Sequence, residues 1–367
     1  MQIDRRLIAH FDWTLLGLAL ALICLGILTI YSATYSFGEE HSGGLAMKQV
    51  YWLGIAAAAM VLFFTLDYHL IDRLAYPFYG AVLFLLVIVH FVGASGGGSQ
   101  RWINLGFFAL QPSELSKLAI AWVLASYLKY DEPAGGFRLR ELGGPFLLLF
   151  PLVVLVLIQP DLGTAVIIAL IFLSLLIVGG LRFRSLCYLI CAGGSLLPLA
   201  WNFLKPYQQN RILTFINPGH DPLGAGYHVI QSKIAVGSGR WFGKGYLNGT
   251  QNRLDFLPAQ HTDFIFSVFA EEWGFVGCLI LAGIYFAFVY YSLNVVARAK
   301  DRFGALLAFG MTAIFLWQVL INIGMVTGIL PVVGIPLPLL SYGGSSLVSM
   351  MIALGLLINV SMRRFTF

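Results

Sequence analysis

Ten stretches of the chain are apolar for long enough to cross a lipid bilayer, and that repetition leaves few folds open. They run at about 13–33, 49–66, 76–93, 111–128, 144–159, 163–180, 185–202, 264–293, 304–329 and 341–361. Hydrocarbon offers no water to the backbone, so a spanning segment must satisfy its own amides and carbonyls. Runs near 20 residues do so as α-helices and are too long for barrel strands. Composition agrees: 59% of the 367 residues are hydrophobic and 11% are charged, against about 25% charged in a soluble domain. The expectation is an all-α polytopic membrane protein, a single transmembrane domain over 1–367 with about ten helices. One connection is large, residues 203–262 between helices 7 and 8, and the others are short.

The first run exceeds a signal-peptide core and no small-residue cleavage pattern follows it, so it is expected to remain as a helix. The cysteines Cys24, Cys187, Cys191 and Cys278 all lie in apolar runs without metal-ligand spacing, where packing explains them. Orientation follows from Lys and Arg. With the N-terminus inside, the cytoplasmic segments hold thirteen: Arg5, Arg6, Arg73, Lys129, Arg138, Arg140, Arg182, Arg184, Arg298, Lys300, Arg302, Arg363 and Arg364. The short outer loops hold two, Lys48 and Arg101. Both termini are therefore expected in the cytoplasm and the large loop outside.

That loop carries Lys205, Arg211, Lys233, Arg240, Lys244 and Arg253 against Asp221 and Asp255. Its cations either rest on anionic headgroups or line a site for an anionic, membrane-borne substrate. In "GYHVIQSKIAVGSG", Val229, Ile230, Ile234 and Ala235 are spaced for one helical face, with Gln231, Ser232 and Lys233 on another. The pattern predicts a short amphipathic helix lying in the interface. "PYQQNRILTFINP" predicts a second, with Ile212, Phe215 and Ile216 on its membrane side. "GSGRWFGKGYLNGT" reads as a turn or ribbon beside the membrane.

Ionisable groups inside a bilayer are costly and point to function. Glu114 and Lys117 are three apart and can pair on one helix face, as a structural ion pair or as the wall of a polar cavity. Arg101 and Trp102, in "GGGSQRWINLGFF", either anchor the interface or meet a phosphate, for which a guanidinium fork is suited. Asp161, in "QPDLGT", reads as an N-cap near the mouth of any cavity. Three prolines break "GILPVVGIPLPLLSYGGSS" ahead of a turn opened by Ser341. Broken backbone at membrane depth must be buried or line a cavity.

"LPAQHTDFIFSVFAEEWG" places Asp263 at the doorway of an apolar helix, with Glu271 and Glu272 inside it. Asp263 either caps that helix or acts as a base whose partial desolvation suits it to the task. Glu271 follows by eight residues, about 12 Å deeper at 1.5 Å per residue. On a continuous helix it shares a face with Asp263, so the two are expected to line one cavity while Glu272 points elsewhere.

These segments, in order, resemble the SEDS family, membrane glycosyltransferases of bacterial shape, elongation, division and sporulation. The likeness covers essentially the whole chain, and within the family the loop motifs are similar to the elongation branch. It implies polymerisation of lipid II into glycan strands on the outer face of the cytoplasmic membrane, with inversion. It assigns the essential acid to Asp263, and the substrate site to Arg101, Trp102, Glu114, Lys117, Asp161 and Glu271. Arg211 and Lys233 are candidates for charge at the pyrophosphate, and Ser341, at the adjoining turn, is a further substrate-binding candidate. A divalent cation, Mg or Mn, is implied, with no ligands to be read from the sequence. The implied partners are a class B penicillin-binding protein transpeptidase, other membrane proteins of the elongation complex, and membrane lipids; no nucleic acid is expected. The rival readings are a flippase for lipid-linked precursors, a non-catalytic scaffold, and the division paralogue with the same chemistry.

Overall fold

The computed structural model describes residues 11–35, 44–96, 99–104, 109–130, 136–202, 204, 206–217, 224–253 and 260–363. Arg5, Arg6, Lys205, Asp221, Asp255 and Arg364 of the sequence reading lie outside these. Ten long helices correspond to the ten expected spans: α1 (Trp13–Ala33), α2 (Gly44–Thr65), α3 (Tyr68–Val92), α4 (Pro112–Leu128), α5 (Gly143–Ile158), α6 (Leu162–Val178), α7 (Phe183–Trp201), α11 (Ile265–Ala297), α12 (Arg302–Val326) and α13 (Gly344–Met362). Between α7 and α11 lie the shorter α8 (Pro206–Ile216), α9 (Ala225–Ser238) and α10 (Thr250–Arg253). Among the described residues, seven helical spans are long and apolar enough to cross a membrane, one of them, Leu139–Ile158, made of α5 and the turn before it.

Helices α4, α12 and α13 form the centre. In α4, polar Ser113, Glu114, Ser116 and Lys117 are buried together with the apolar run Leu118–Ala125. Small residues set the close approaches: a side chain at Gly355 of α13 would strike the Met60 backbone of α2, and one at Gly310 of α12 would press on Ala121 of α4. Without water between helices, such contacts replace the hydrophobic drive with dense packing. Helix α7 stays peripheral, with Phe183, Tyr188 and Ile190 uncovered by protein.

Two helices begin earlier than hydropathy indicates, α2 at Gly44 and α3 at Tyr68. Asp67 explains the second. It accepts from the His69 and Leu70 amides at 2.8 and 3.3 Å, a good N-cap. Asp72 can then stay inside the helix because Lys129 neutralises it and Ser126 donates to it at 2.8 Å.

The all-α reading needs one amendment. Residues 94–110 hold a small antiparallel sheet in the order β1 (Ala94–Gly96), β2 (Ser99–Asn104), β3 (Ala109–Leu110). A glycine-rich segment at the rim of a bundle still has to pair its backbone, and here it pairs with itself.

The large loop also departs from expectation. Helix α9 buries Val229, Ser232 and Ala235, while Ile230 and Ile234 are exposed, so the predicted face is split. Ser232 Oγ lies 2.9 Å from Ser267 Oγ and donates to the Val326 carbonyl at 2.7 Å. This helix therefore packs along α11 and α12, with its isoleucines left to lipid. Helix α8 leaves Phe215 and Ile216 uncovered by protein, as a face laid on lipid requires.

The segment after α9 is more than a turn beside the membrane. Gly274 (φ 64, ψ −166) breaks α11, and residues 240–245 fill the break. Lys244 and Gly245 amides donate to the Glu271 and Glu272 carbonyls, each at 3.0 Å. The Phe275 and Val276 amides donate to the Arg240 and Trp241 carbonyls at 2.8 and 3.0 Å. Glu271 lies on the order of 10 Å along α11 from its start, so this segment re-enters the bundle.

Candidate functional site

Five stretches of chain converge on one recess of about 230 Å³ at one end of the bundle. Strand β2 brings Arg101 and Trp102, and the first two turns of α4 bring Gln111, Glu114 and Lys117. The α5–α6 turn supplies Asp161 and Thr164. Thr262 and Asp263 face the broken segment through Gly334, Ile335, Pro336 and Tyr342.

The Glu114–Lys117 pair is buried at 2.8 Å, with Ser349 Oγ donating to the same Glu114 oxygen at 3.2 Å. Pairing offsets the cost of placing each charge in the bundle. Both members still border the recess, so the structural and cavity-wall readings hold together. Asp161 also does two things. It caps α6 through the Thr164 amide at 3.3 Å and hydroxyl at 2.9 Å, and accepts from Ser113 Oγ at 3.1 Å. Arg101 comes to 3.9 Å from it while donating to the Gln159 carbonyl at 3.1 Å and to that of Pro160. The guanidinium is thus fixed by backbone at the recess wall.

Asp263 sits on a turn just before α11, not on the helix. Its backbone is held from two sides. Asn322 Nδ2 of α12 donates to the Asp263 carbonyl at 2.9 Å, and Ser341 Oγ donates to that of Thr262 at 2.7 Å. The Tyr342 amide donates to the His261 carbonyl at 2.9 Å. Burial in the recess pushes the Asp263 carboxyl up to about 6; Arg211 and Arg101 pull it down, and the Asp161 charge pushes it up. A carboxylate poised there is ionised at neutral pH yet basic enough to accept a proton. Burial also holds His261 below its usual range.

Of the residues singled out in the sequence, Arg101, Trp102, Glu114, Lys117, Asp161 and Asp263 meet in the recess. Arg211 lies near enough for its charge to act on Asp263. Three stand elsewhere. Lys233 is exposed and lays its stem over Gly328 at the end of α12, where a cation suits the helix C-terminus. Ser341 works as a staple, accepting from the Leu337 amide at 2.8 Å while it donates to Thr262. Glu271 is wholly buried against the re-entrant segment. The shared-face argument fails because it needs a continuous helix through Asp263, and α11 starts only at Ile265. Sequence reading missed Gln111, Thr164, Thr262 and Tyr342, whose only signal was adjacency to the motifs.

A resident divalent cation fits poorly. Among the described residues no three His, Cys, Asp or Glu side chains gather with ligand geometry. Asp161 is engaged in capping and Glu114 in its ion pair.

Comparison with known proteins gives a consistent picture. The family model described as cell cycle protein, for FtsW, RodA and SpoVE, matches residues 12–365. The chain is 40% identical over 356 residues to the peptidoglycan glycosyltransferase MrdB of Escherichia coli K12, covering 97% of this chain and 94% of the relative. It is 35% identical to the peptidoglycan glycosyltransferase RodA of Treponema pallidum, covering 97% and 99%. Among solved structures, a chain of a peptidoglycan synthase complex that coordinates polymerization and crosslinking superposes with TM-score 0.83 at 36% identity, covering 97% and 99%. RodA of Thermus thermophilus superposes with TM-score 0.73 at 30% identity, covering 97% and 98%.

Proposed function

Because this chain belongs to the FtsW/RodA/SpoVE family, we propose that its recess joins lipid II units into glycan strands, with Asp263 as the general base. The chain is a multi-pass membrane protein and a peptidoglycan glycosyltransferase, as its relatives are named. The observation that carries the reading is a single one: the Asp263 carboxyl faces a recess whose other walls hold Arg101 and Lys117.

The reaction balances with one base. The acceptor sugar's 4-hydroxyl oxygen attacks the anomeric carbon of the donor, and its proton passes to the Asp263 carboxylate. The bond from that carbon to the diphosphate oxygen breaks, and its electron pair leaves with the lipid diphosphate. Attack opposite the leaving group inverts the anomeric centre. Diphosphate already leaves well, so the site needs positive charge more than a proton donor. Arg101 can fork to phosphate oxygens from its fixed position. A divalent cation is proposed to arrive with the diphosphate, as Mg²⁺ commonly does with substrate phosphates.

The recess is assigned to the outer face on the bias of thirteen cations against two in the short loops. Both termini are then cytoplasmic. The chain is further assigned to elongation, with a class B penicillin-binding protein as transpeptidase partner. The test is a glycan-strand gel with full-length protein, its partner, lipid II and Mg²⁺. Wild type should make polymer and a folded Asp263→Asn none. Polymer from both would return Asp263 to a structural role, and polymer from neither would favour a flippase or scaffold.

A further inference from the structure

Glu271 is absent from the recess lining, yet among the described residues few side chains are so heavily bonded. Its carboxylate is fully buried and receives Lys244 Nζ at 2.6 Å, the Thr250 amide and hydroxyl each at 2.9 Å, the Gln251 amide at 3.2 Å and Ser238 Oγ at 3.4 Å. Lys244 also donates to Thr250 Oγ1 at 2.7 Å. Every one of these partners comes from residues 238–251, that is, the re-entrant segment with the end of α9 before it and the start of α10 after it. The backbone ties of Lys244 and Gly245 to Glu271 and Glu272 run alongside.

Two facts of chain order give the arrangement its meaning. Glu271 sits on the outer half of α11, Ile265 to Trp273, ahead of the Gly274 break. The chain that leaves Gln251 returns twelve residues later as Asp263, at the head of that same half-helix. One end of the connection is therefore fixed by Glu271, the other by Asn322 and Ser341. We propose that Lys244 and Glu271 form a latch that positions Asp263, binding the re-entrant segment and the outer half of α11 into one unit. They are positioning residues and touch no substrate. Lys244 neutralises a carboxylate that would otherwise be buried alone, and the carboxylate in turn caps the amides of Thr250 and Gln251. The inference rests on the proposed role of Asp263 and assigns to Glu271 a function other than substrate contact.

The experiment measures kcat, KM and the pH profile of lipid II polymerisation per folded molecule, in full-length protein with its partner. The variants are Glu271→Gln, Lys244→Met and Lys244→Arg, with folding followed by thermal unfolding. A misplaced base lowers kcat by about a hundredfold while KM stays within about twofold. Lys244→Arg should recover most of the loss. The acid limb of the profile should also fall from its wild-type position, because a displaced Asp263 regains water. Unchanged kcat per folded molecule and an unmoved limb would overturn the latch. Raised KM with intact kcat would overturn it too, and would return Glu271 to substrate contact. Should Glu271→Gln fail to fold, Lys244→Met, whose side chain is 28% exposed, carries the same comparison. An active wild type with an inactive Asp263→Asn and unaffected latch variants would sink this inference alone.

Discussion

Asn322 holds Asp263 by its backbone: the side-chain Nδ2 of Asn322, buried in α12, donates to the Asp263 carbonyl at 2.9 Å. The same nitrogen donates to the Ile335 carbonyl at 2.7 Å. One side chain thus ties the acid-bearing turn to the broken segment across the recess. Asn322→Leu removes both bonds and leaves two carbonyls short of donors in a dry setting. The expected cost is about 1–3 kcal/mol for each, read as a lower midpoint of thermal unfolding. Polymer yield per folded molecule should fall with it.

Activity should depend on pH through Asp263. A base works only when ionised, so the rate should fall as pH drops through about 6, tending to tenfold per unit. Arg211 holds that value down by stabilising the charged form. Arg211→Gln removes the pull, so its acid limb should move to higher pH. A limb that stays put, or moves down, in a pH–rate series would rule out the electrostatic link.

The Glu114–Lys117 pair separates stability from function. Removing one partner strands a buried charge, so Glu114→Gln or Lys117→Met alone should cost about 3–5 kcal/mol. The double variant strands nothing and should regain most of the unfolding midpoint. Its polymerase activity should stay low, because the recess has lost its inner cation. Restored activity in the double variant would make the pair purely structural.

Gly274→Ala should be poorly tolerated. The residue has φ 64, and an added Cβ would meet the backbone of Phe242 and Gly243. This φ, ψ pair lies in a region essentially reserved for glycine, with strain of about 1–3 kcal/mol for other residues, and neighbouring backbone cannot move aside cheaply. Gly17→Ala, where nothing lies within 4 Å, is the matched control. Comparing folded yield of the two in detergent tests the claim.

Most of the bundle was legible because hydrocarbon makes one demand, and each apolar run answers it in the same way. Asp263, Glu114, Lys117 and Arg101 were legible as exceptions to that demand. What escaped the reading depended on partners distant in sequence. The early start of α3 rests on the Asp67 cap and on Lys129 neutralising Asp72, which a hydropathy window does not see. Ser232 looked like the polar face of a surface helix until Ser267 and the Val326 carbonyl gave it a buried role. Glu271 was placed by helical periodicity, which assumes one helix; the turn at Asp263 removed that premise. Lys244 read as one more loop cation because its meaning lies in Glu271.

The break in α11 also bears on how the protein is made. A helix interrupted at Gly274 would enter the bilayer with bare amides at Phe275 and Val276, each costing several kcal/mol in lipid. Their acceptors, the Arg240 and Trp241 carbonyls, belong to chain that leaves the ribosome earlier. Translation order therefore delivers the acceptors first. In the folded bundle, this helix therefore completes its own backbone bonding only through residues 240 and 241.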